Sequence, residues 1–423
     1  MDTDSNKLKT LALASTSALS LYLLYKKFFK KFFKKRGKSF HQKSGRKYSF
    51  SEPTTSTDEF TQIMIKESQI FNSDGHLEAI LPREFESDAK LEKMALSRFN
   101  YSKGMADKDG LQKALLAPIY DLLDRGGKRW RPILGKIITE IFGGNWSEIG
   151  KLAAAYEIVH NGTLIADDME DSSEFRRGKK AIHLVYGHDI ATNVSSFMYV
   201  APINSWVRCF GHKYSKATIC KIHEIQFREL TNIHIGQSWD ICWHREVAAG
   251  QHPIPSVDNY MEMVSNKTGV LARLVVDSVC CLLDLDEETT SKLVDFAEAL
   301  GVGFQIQDDI LNLVENTLAE TKGGVGEDIH EGKISLIVIH SLNHSSEVRR
   351  KRLLEILSMH TEDSELIREA IGLMKESNSI VECEQMAKAI VMDAWRKVRD
   401  YLPDCPAKGK LYSFALYMVE RKM

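Results

Sequence analysis

Apolar residues recur at helical spacing along most of this chain, and no convincing run alternates as a half-buried strand would. The first clear segment is LQKALLAPIYDLL, Leu111 to Leu123, interrupted by Pro118. ILGKIITEIF (133–142) predicts a helix that ends near Gly143 and Gly144. Residues 147–166 predict another, and more follow at about 188–209, 214–235, 257–282, 288–316, 333–342, 346–358, 364–375 and 379–401. Breaks come at Gly211, at Gly250 to Pro255, at Gly323 to Gly326 and at Pro403. No repeat of fixed period is present. The pattern predicts one all-α domain over 60–423, larger than a simple four-helix bundle. Residues 1–59 form a separate N-terminal segment that ends in the linker-like SFSEPTTSTDE, Ser49 to Glu59.

Charge divides the chain in the same place. The formal net charge of −2 over 423 residues hides eleven Lys and Arg, with no acidic residue, between Lys26 and Lys47. From Glu52 onward 43 basic residues face 56 acidic ones, a poor electrostatic match for nucleic acid. No zinc-finger, P-loop or dinucleotide fingerprint appears. The seven cysteines are scattered without metal-like spacing, which fits reduced thiols. Leu11 to Tyr25 carries no charge but is short for a span of the hydrocarbon core. KKFFKKFFKK follows, and as a helix it would align Phe28, Phe29, Phe32 and Phe33 in one stripe among lysines. That suits an anionic membrane surface, with the body on the cytosolic side, as at the endoplasmic reticulum. A mitochondrial presequence is the alternative.

The chemistry begins at HNGTLIADDMEDSSEFRRG, His160 to Gly178. Asp167 and Asp171 lie one helical turn apart with Asp168 beside them, and like charges so placed repel. Multivalent cations remove that penalty, and hard oxygen ligands suit Mg2+. Arg176 and Arg177 follow with planar donors suited to phosphate. A second acidic stretch, Gln305, Asp308, Asp309 and Asn312, lies some way on and could face the first across a cavity.

These stretches do not stand alone. GGKRWRP (Gly126 to Pro132), GQSWDICW (Gly236 to Trp243), NKTG (Asn266 to Gly269), FQIQDDILN (Phe304 to Asn312) and KGGVGEDIHEGKISL (Lys322 to Leu336) accompany His160 to Gly178. In this order and spacing the six resemble the trans-isoprenyl diphosphate synthases, or polyprenyl synthetases, most closely their geranylgeranyl branch. The resemblance covers roughly 95–420. It implies a large helical bundle of the isoprenoid synthase type around a central cavity, working as a homodimer. It also implies that Asp167, Asp168 and Asp171 hold two of three Mg2+ ions against an allylic diphosphate, with Asp308 and nearby Asp309 holding the third. Arg176, Lys267, Lys322 and Lys333 would grip the same leaving group, while Thr268 and Gln305 sit nearer the allylic cation. Isopentenyl diphosphate would bind without metal, at Gly127, Lys128, Arg131, His160 and Arg177.

Two positions depart from the family's strongest pattern: Asn312 stands where a third aspartate is frequent, and Lys180 where a proline is. Product length is expected to follow the helix before the first acidic cluster. Thr163 and Gly162 occupy positions that are aromatic in short-chain farnesyl synthases of the animal kind, so the growing chain should pass deeper, towards Val159 and Tyr156. Phe197, Met198 and Tyr199 on a neighbouring helix could also limit it. The expectation is a C20 product. The alternatives are C25 or longer, or a terpene synthase that ionises an allylic diphosphate to a hydrocarbon.

Overall fold

The computed structural model describes residues 57–85, 107–314 and 325–421. The expectations for Leu11 to Lys47 and for Lys322 lie outside them. Helices dominate, and fourteen of those described have eight residues or more. They are α1 (Thr57–Ser73), α2 (Ala117–Asp124), α3 (Trp130–Ile141), α4 (Trp146–Glu170), α5 (His188–Phe210), α6 (Lys216–Glu246) and α7 (Val257–Val264). Then come α8 (Val270–Leu282), α9 (Glu287–Asn312), α10 (Leu336–His344), α11 (Glu347–Ser358), α12 (Ser364–Glu376), α13 (Ser379–Val398) and α14 (Pro406–Glu420). None of the described helices is long and apolar enough to cross a membrane.

The helix starts follow local chemistry. Asn145, Ser215, Asp286 and Ser335 each accept a backbone N–H in the first turn of α4, α6, α9 and α10. Ser256 and Asn259 cap α7 reciprocally. Pro118 does not break its segment as the pattern suggested. A π turn, Gln112–Leu116, leads directly into α2, and the chain stays helical on both sides of the proline because the widened turn accommodates it.

The core centres on α4, which packs against α3, α5 and α8. Its Leu152, Ala154, Ala155, Ile158 and Val159 are fully buried, because alanines let neighbouring helices approach on several faces. α9 is the other axial helix, packed against α8, α13 and α14. The main departures from expectation lie in the cavity wall. α6 continues eleven residues beyond the predicted end at 235, straight through Gly236 to Glu246. The segment predicted as one helix over 257–282 is instead two, α7 and α8, joined by a π turn at Ser265–Gly269. The pattern predicts no strand, yet a short antiparallel hairpin pairs Phe175–Arg176 with Lys179–Lys180.

Candidate active site

A cavity of about 600 Å³ is lined by the end of α4, α6, the Ser265–Gly269 turn, α9, the 127–131 segment, the 175–177 hairpin strand and residues 327–335. It gathers both acidic stretches and most of the basic residues that the sequence singled out.

The last turn of α4 forms the first wall. Asp168 accepts from Arg176 Nε at 2.6 Å, and Arg176 Nη2 also reaches Asp167 at 3.5 Å. Asp167 meets Lys267 Nζ at 3.1 Å and accepts from Gln237 Nε2 at 3.1 Å. Lys267 is shared with Asp240 at 2.5 Å, and Asp240 holds the lysine in place. Asp171 lies 3.6 Å from Lys333 Nζ. Burial pushes Asp168 up to about 6 in spite of Arg176, and burial together with Asp167 pushes Asp171 up as well. In Asp167 the effect of burial is overridden by Lys267 and Arg176, which hold it below the usual carboxylate range.

Among the described residues no group of three carboxylate, imidazole or thiol side chains closes into a ready-made metal cage. The donor set nevertheless fits a hard divalent cation. Asp168 Oδ2 and Asp171 Oδ1 are buried without a hydrogen-bond partner, and such oxygens are costly to bury unpaired.

Lys267 and Thr268 owe their place to the π turn, a distortion common at functional sites. Glycines lie on both sides of that turn. A Cβ on Gly236 of α6 would come 2.5 Å from the backbone N of Lys267, and one on Gly301 of α9 would come 2.6 Å from Gly269 Cα. Behind the turn, buried Arg273 donates to Ser265 Oγ at 2.8 Å and pairs with Glu229 and Glu298.

The opposite wall is α9. Thr268 Oγ1 donates to Gln305 Oε1 at 2.8 Å, and Gln305 Nε2 donates to Asp309 at 2.7 Å. The other oxygen of Asp309 accepts from Tyr260 at 2.8 Å. Burial, reinforced by the charge of Asp328, raises the proton affinity of Asp309. Asp308 pairs with Arg421, which stacks 3.9 Å over the Phe304 ring. Asn312 shapes the loop beyond α9, where its Oδ1 accepts from the Asp328 N–H at 3.2 Å and its carbonyl from Gly326 at 2.9 Å. Tyr260 carries no sequence signal of its own.

The basic end is built from a loop and a hairpin. Arg177 and Gly178, both at positive φ, form the two-residue hairpin turn, the geometry that right-twisted strands favour. Arg125 secures the hairpin, donating to the carbonyls of Arg176 at 3.2 Å and Lys180 at 2.8 Å. Lys180 thus serves the site through its backbone. Gly127 has φ +135°, a conformation L side chains rarely adopt, and a Cβ there would also meet Arg177 Nη2 at 3.0 Å. Lys128 also borders the cavity, 5.5 Å from the Phe304 ring. Arg131 Nη1 sits 3.1 Å from His160 Nε2, and burial followed by the Arg131 and Arg177 charges drives the imidazole well below its usual range. Its Nδ1 is buried and has no hydrogen-bond partner. Arg129, bound to Glu157 at 2.8 Å, holds the loop from below.

The chain-length positions fall in different surroundings. Thr163 borders the cavity, but Gly162 is no open floor: it packs against α5, where a Cβ would lie 2.7 Å from Met198 Cβ. Val159 is fully buried in the α4 core. Tyr199 and His234 both border the cavity and meet edge to face at 5.6 Å.

Comparison with known proteins leads to the same chemistry. A family model described as polyprenyl synthetase matches residues 112–374. The short chain isoprenyl diphosphate synthase of Methanocaldococcus jannaschii is 35% identical over 259 residues, 60% of this chain and 75% of that protein. The geranylgeranyl pyrophosphate synthase of Dictyostelium discoideum is 30% identical over 286 residues, covering 68% and 88% respectively. The crystal structure of a geranylgeranyl pyrophosphate synthetase from Pyrococcus horikoshii superposes with a TM-score of 0.69 at 25% identity, over 86% of this chain and 99% of that one. With two acidic walls, a separate basic end and this match over most of the helical body, the chain belongs to the polyprenyl synthetase family and is a prenyltransferase.

Proposed function

We propose that the enzyme condenses isopentenyl diphosphate with allylic diphosphates and makes chiefly geranylgeranyl diphosphate, C20. One observation carries the reading: a single cavity joins the carboxylates of α4 and α9 to a separate basic pocket. The allylic diphosphate lies among Arg176, Lys267 and Lys333, whose positive charges stabilise the diphosphate oxygen as it takes the electron pair of the breaking C–O bond. Mg2+ ions held by Asp167, Asp168 and Asp171, and by Asp308 and Asp309 opposite, would neutralise charge on the same leaving group. Thr268 and Gln305 present neutral oxygens to the allylic cation, where an ammonium group would repel it. Gly127, Lys128, Arg131, His160 and Arg177 hold the second diphosphate. The terminal double bond of that substrate attacks the cation, and the proton then lost goes to the released diphosphate.

A C20 limit is supported by Tyr199, which borders the cavity and meets His234 edge to face. Purified enzyme given isopentenyl diphosphate, Mg2+ and C5, C10 or C15 partners should yield C20 by product chromatography. A dominant C15 product with isopentenyl diphosphate in excess would overturn this reading.

Arg125→Met frees the hairpin that carries both Arg176 and Arg177. It is expected to raise KM for both substrates, each by about 10-fold, since two side chain-to-carbonyl bonds from a buried charged donor are lost. A rise for one substrate alone would contradict that placement. We also propose a homodimer, supported by the family and by exposed Phe227 and Ile235, two turns apart on α6. The N-terminal segment is proposed to hold the enzyme at a membrane facing the cytosol, at the endoplasmic reticulum, with the mitochondrion as the alternative. Imaging of the tagged full-length chain decides between them.

A further inference from the structure

We infer that α1, which precedes the family-matched residues, is part of the isopentenyl diphosphate site, with Ser68 and Asn72 as positioning residues for the Gly126–Arg129 loop. The inference rests on the assignment of that loop to the second diphosphate.

Gly126, Gly127 and Arg129 all have φ in the left-handed region, +83°, +135° and +47°. Such a loop has no ladder of its own. Its backbone bonds are at its edges, Gly126 N–H to Leu123 and the Arg129 carbonyl to Ile133 N–H. Side chains fix what lies between. Ser68 Oγ donates to the Gly127 carbonyl at 2.9 Å, and Asn72 Oδ1 accepts from Arg129 Nε at 2.9 Å. One turn before Asn72, Glu67 pairs with Lys136 of α3 at 2.6 Å, anchoring α1 beside the loop.

The Ser68 bond decides which way one peptide faces. In a trans peptide the C=O and the following N–H point to opposite sides. With the Gly127 oxygen turned to Ser68, the Lys128 N–H points away from α1. Gly127 and Lys128 line the cavity and Ser68 does not. A diphosphate is bound by N–H donors and repelled by carbonyl oxygen. Glycine imposes little steric barrier to turning this peptide over, so Gly127, which lies against Arg177, also leaves the peptide free to flip. Ser68 removes that freedom. Asn72 acts beside it by holding the Arg129 guanidinium, whose other nitrogens bind Glu157 Oε1 and the Leu123 carbonyl.

Steady-state kinetics of the full-length enzyme test this. Ser68→Ala and Asn72→Ala are each expected to raise KM for isopentenyl diphosphate about 3- to 10-fold, the scale of one hydrogen bond, with KM for the allylic partner unchanged. Ser68→Thr, which keeps the hydroxyl, and Asn72→Asp, which keeps the acceptor, should restore it. Values within twofold of wild type for both alanine variants overturn the inference, as do equal rises for both substrates. Lys128→Ala separates the two levels. A rise there with none at Ser68 or Asn72 sinks only the role of α1. No rise there sinks the loop assignment and this inference with it.

Discussion

Replacing Asp167 by alanine should lower kcat by about 10³-fold or more while leaving the fold intact. The carboxylate is the meeting point of Lys267, Arg176 and Gln237, which reach it from three different elements. Its loss would remove a ligand of the Mg2+ ions and an anchor of Lys267 and Arg176, the cations that stabilise charge on the leaving group, and stabilisation of that kind is worth about this order in rate. Stability should suffer little, because each partner keeps a second contact: Lys267 has Asp240, Arg176 has Asp168 and Gln237 has Glu170. No buried charge is left alone, and that is the usual source of a large penalty. Product formation at saturating substrate, measured beside thermal unfolding, checks both halves. Activity within tenfold of wild type would remove Asp167 from the mechanism.

Much of this site is legible in the sequence because its pieces are short and local. The acidic turn of α4, the Arg176–Arg177 pair and the FQIQDD stretch each state their chemistry within a few residues. Helical periodicity places the two walls on helices for the same reason, since it reads burial along a face. What escapes depends on distance along the chain. Arg421 reaches Asp308 from 113 residues away, and Ser68 reaches Gly127 across 59. Neither pair has a local pattern. Gly162 misleads differently: its residue type correctly indicates that a side chain must be absent, but not which neighbour fills the room, here Met198. Gly236 resembles a helix end, since glycine disfavours helix interiors. Its contacts show why it persists mid-helix.

Those contacts make Gly236→Ala the sharpest test of how the site is positioned, with an expected fall in kcat of about 100-fold. The new Cβ would lie 2.5 Å from Lys267 N and 2.6 Å from the Asn266 carbonyl carbon, both backbone atoms that no rotamer change can move. Retreat is limited as well, because α9 packs so closely against the far side of the turn that a Cβ added at Gly301 would meet Gly269 Cα at 2.6 Å. The π turn must therefore shift sideways, carrying Lys267 and Thr268, and displacement on the order of 1 Å at a reacting centre costs roughly 10²-fold. The same substitution favours α6 itself by about 1 kcal/mol, since alanine is the better helix former, and this offsets part of the packing loss. Activity and stability should thus separate, with a large fall in kcat and a modest change in Tm. Gly372→Ala on α12 is the matched control, because a Cβ there meets nothing within 4 Å. It should keep activity and gain slightly in Tm. If Gly236→Ala retains kcat within threefold of wild type, the turn is free to move, and the glycines flanking it do not set the position of Lys267.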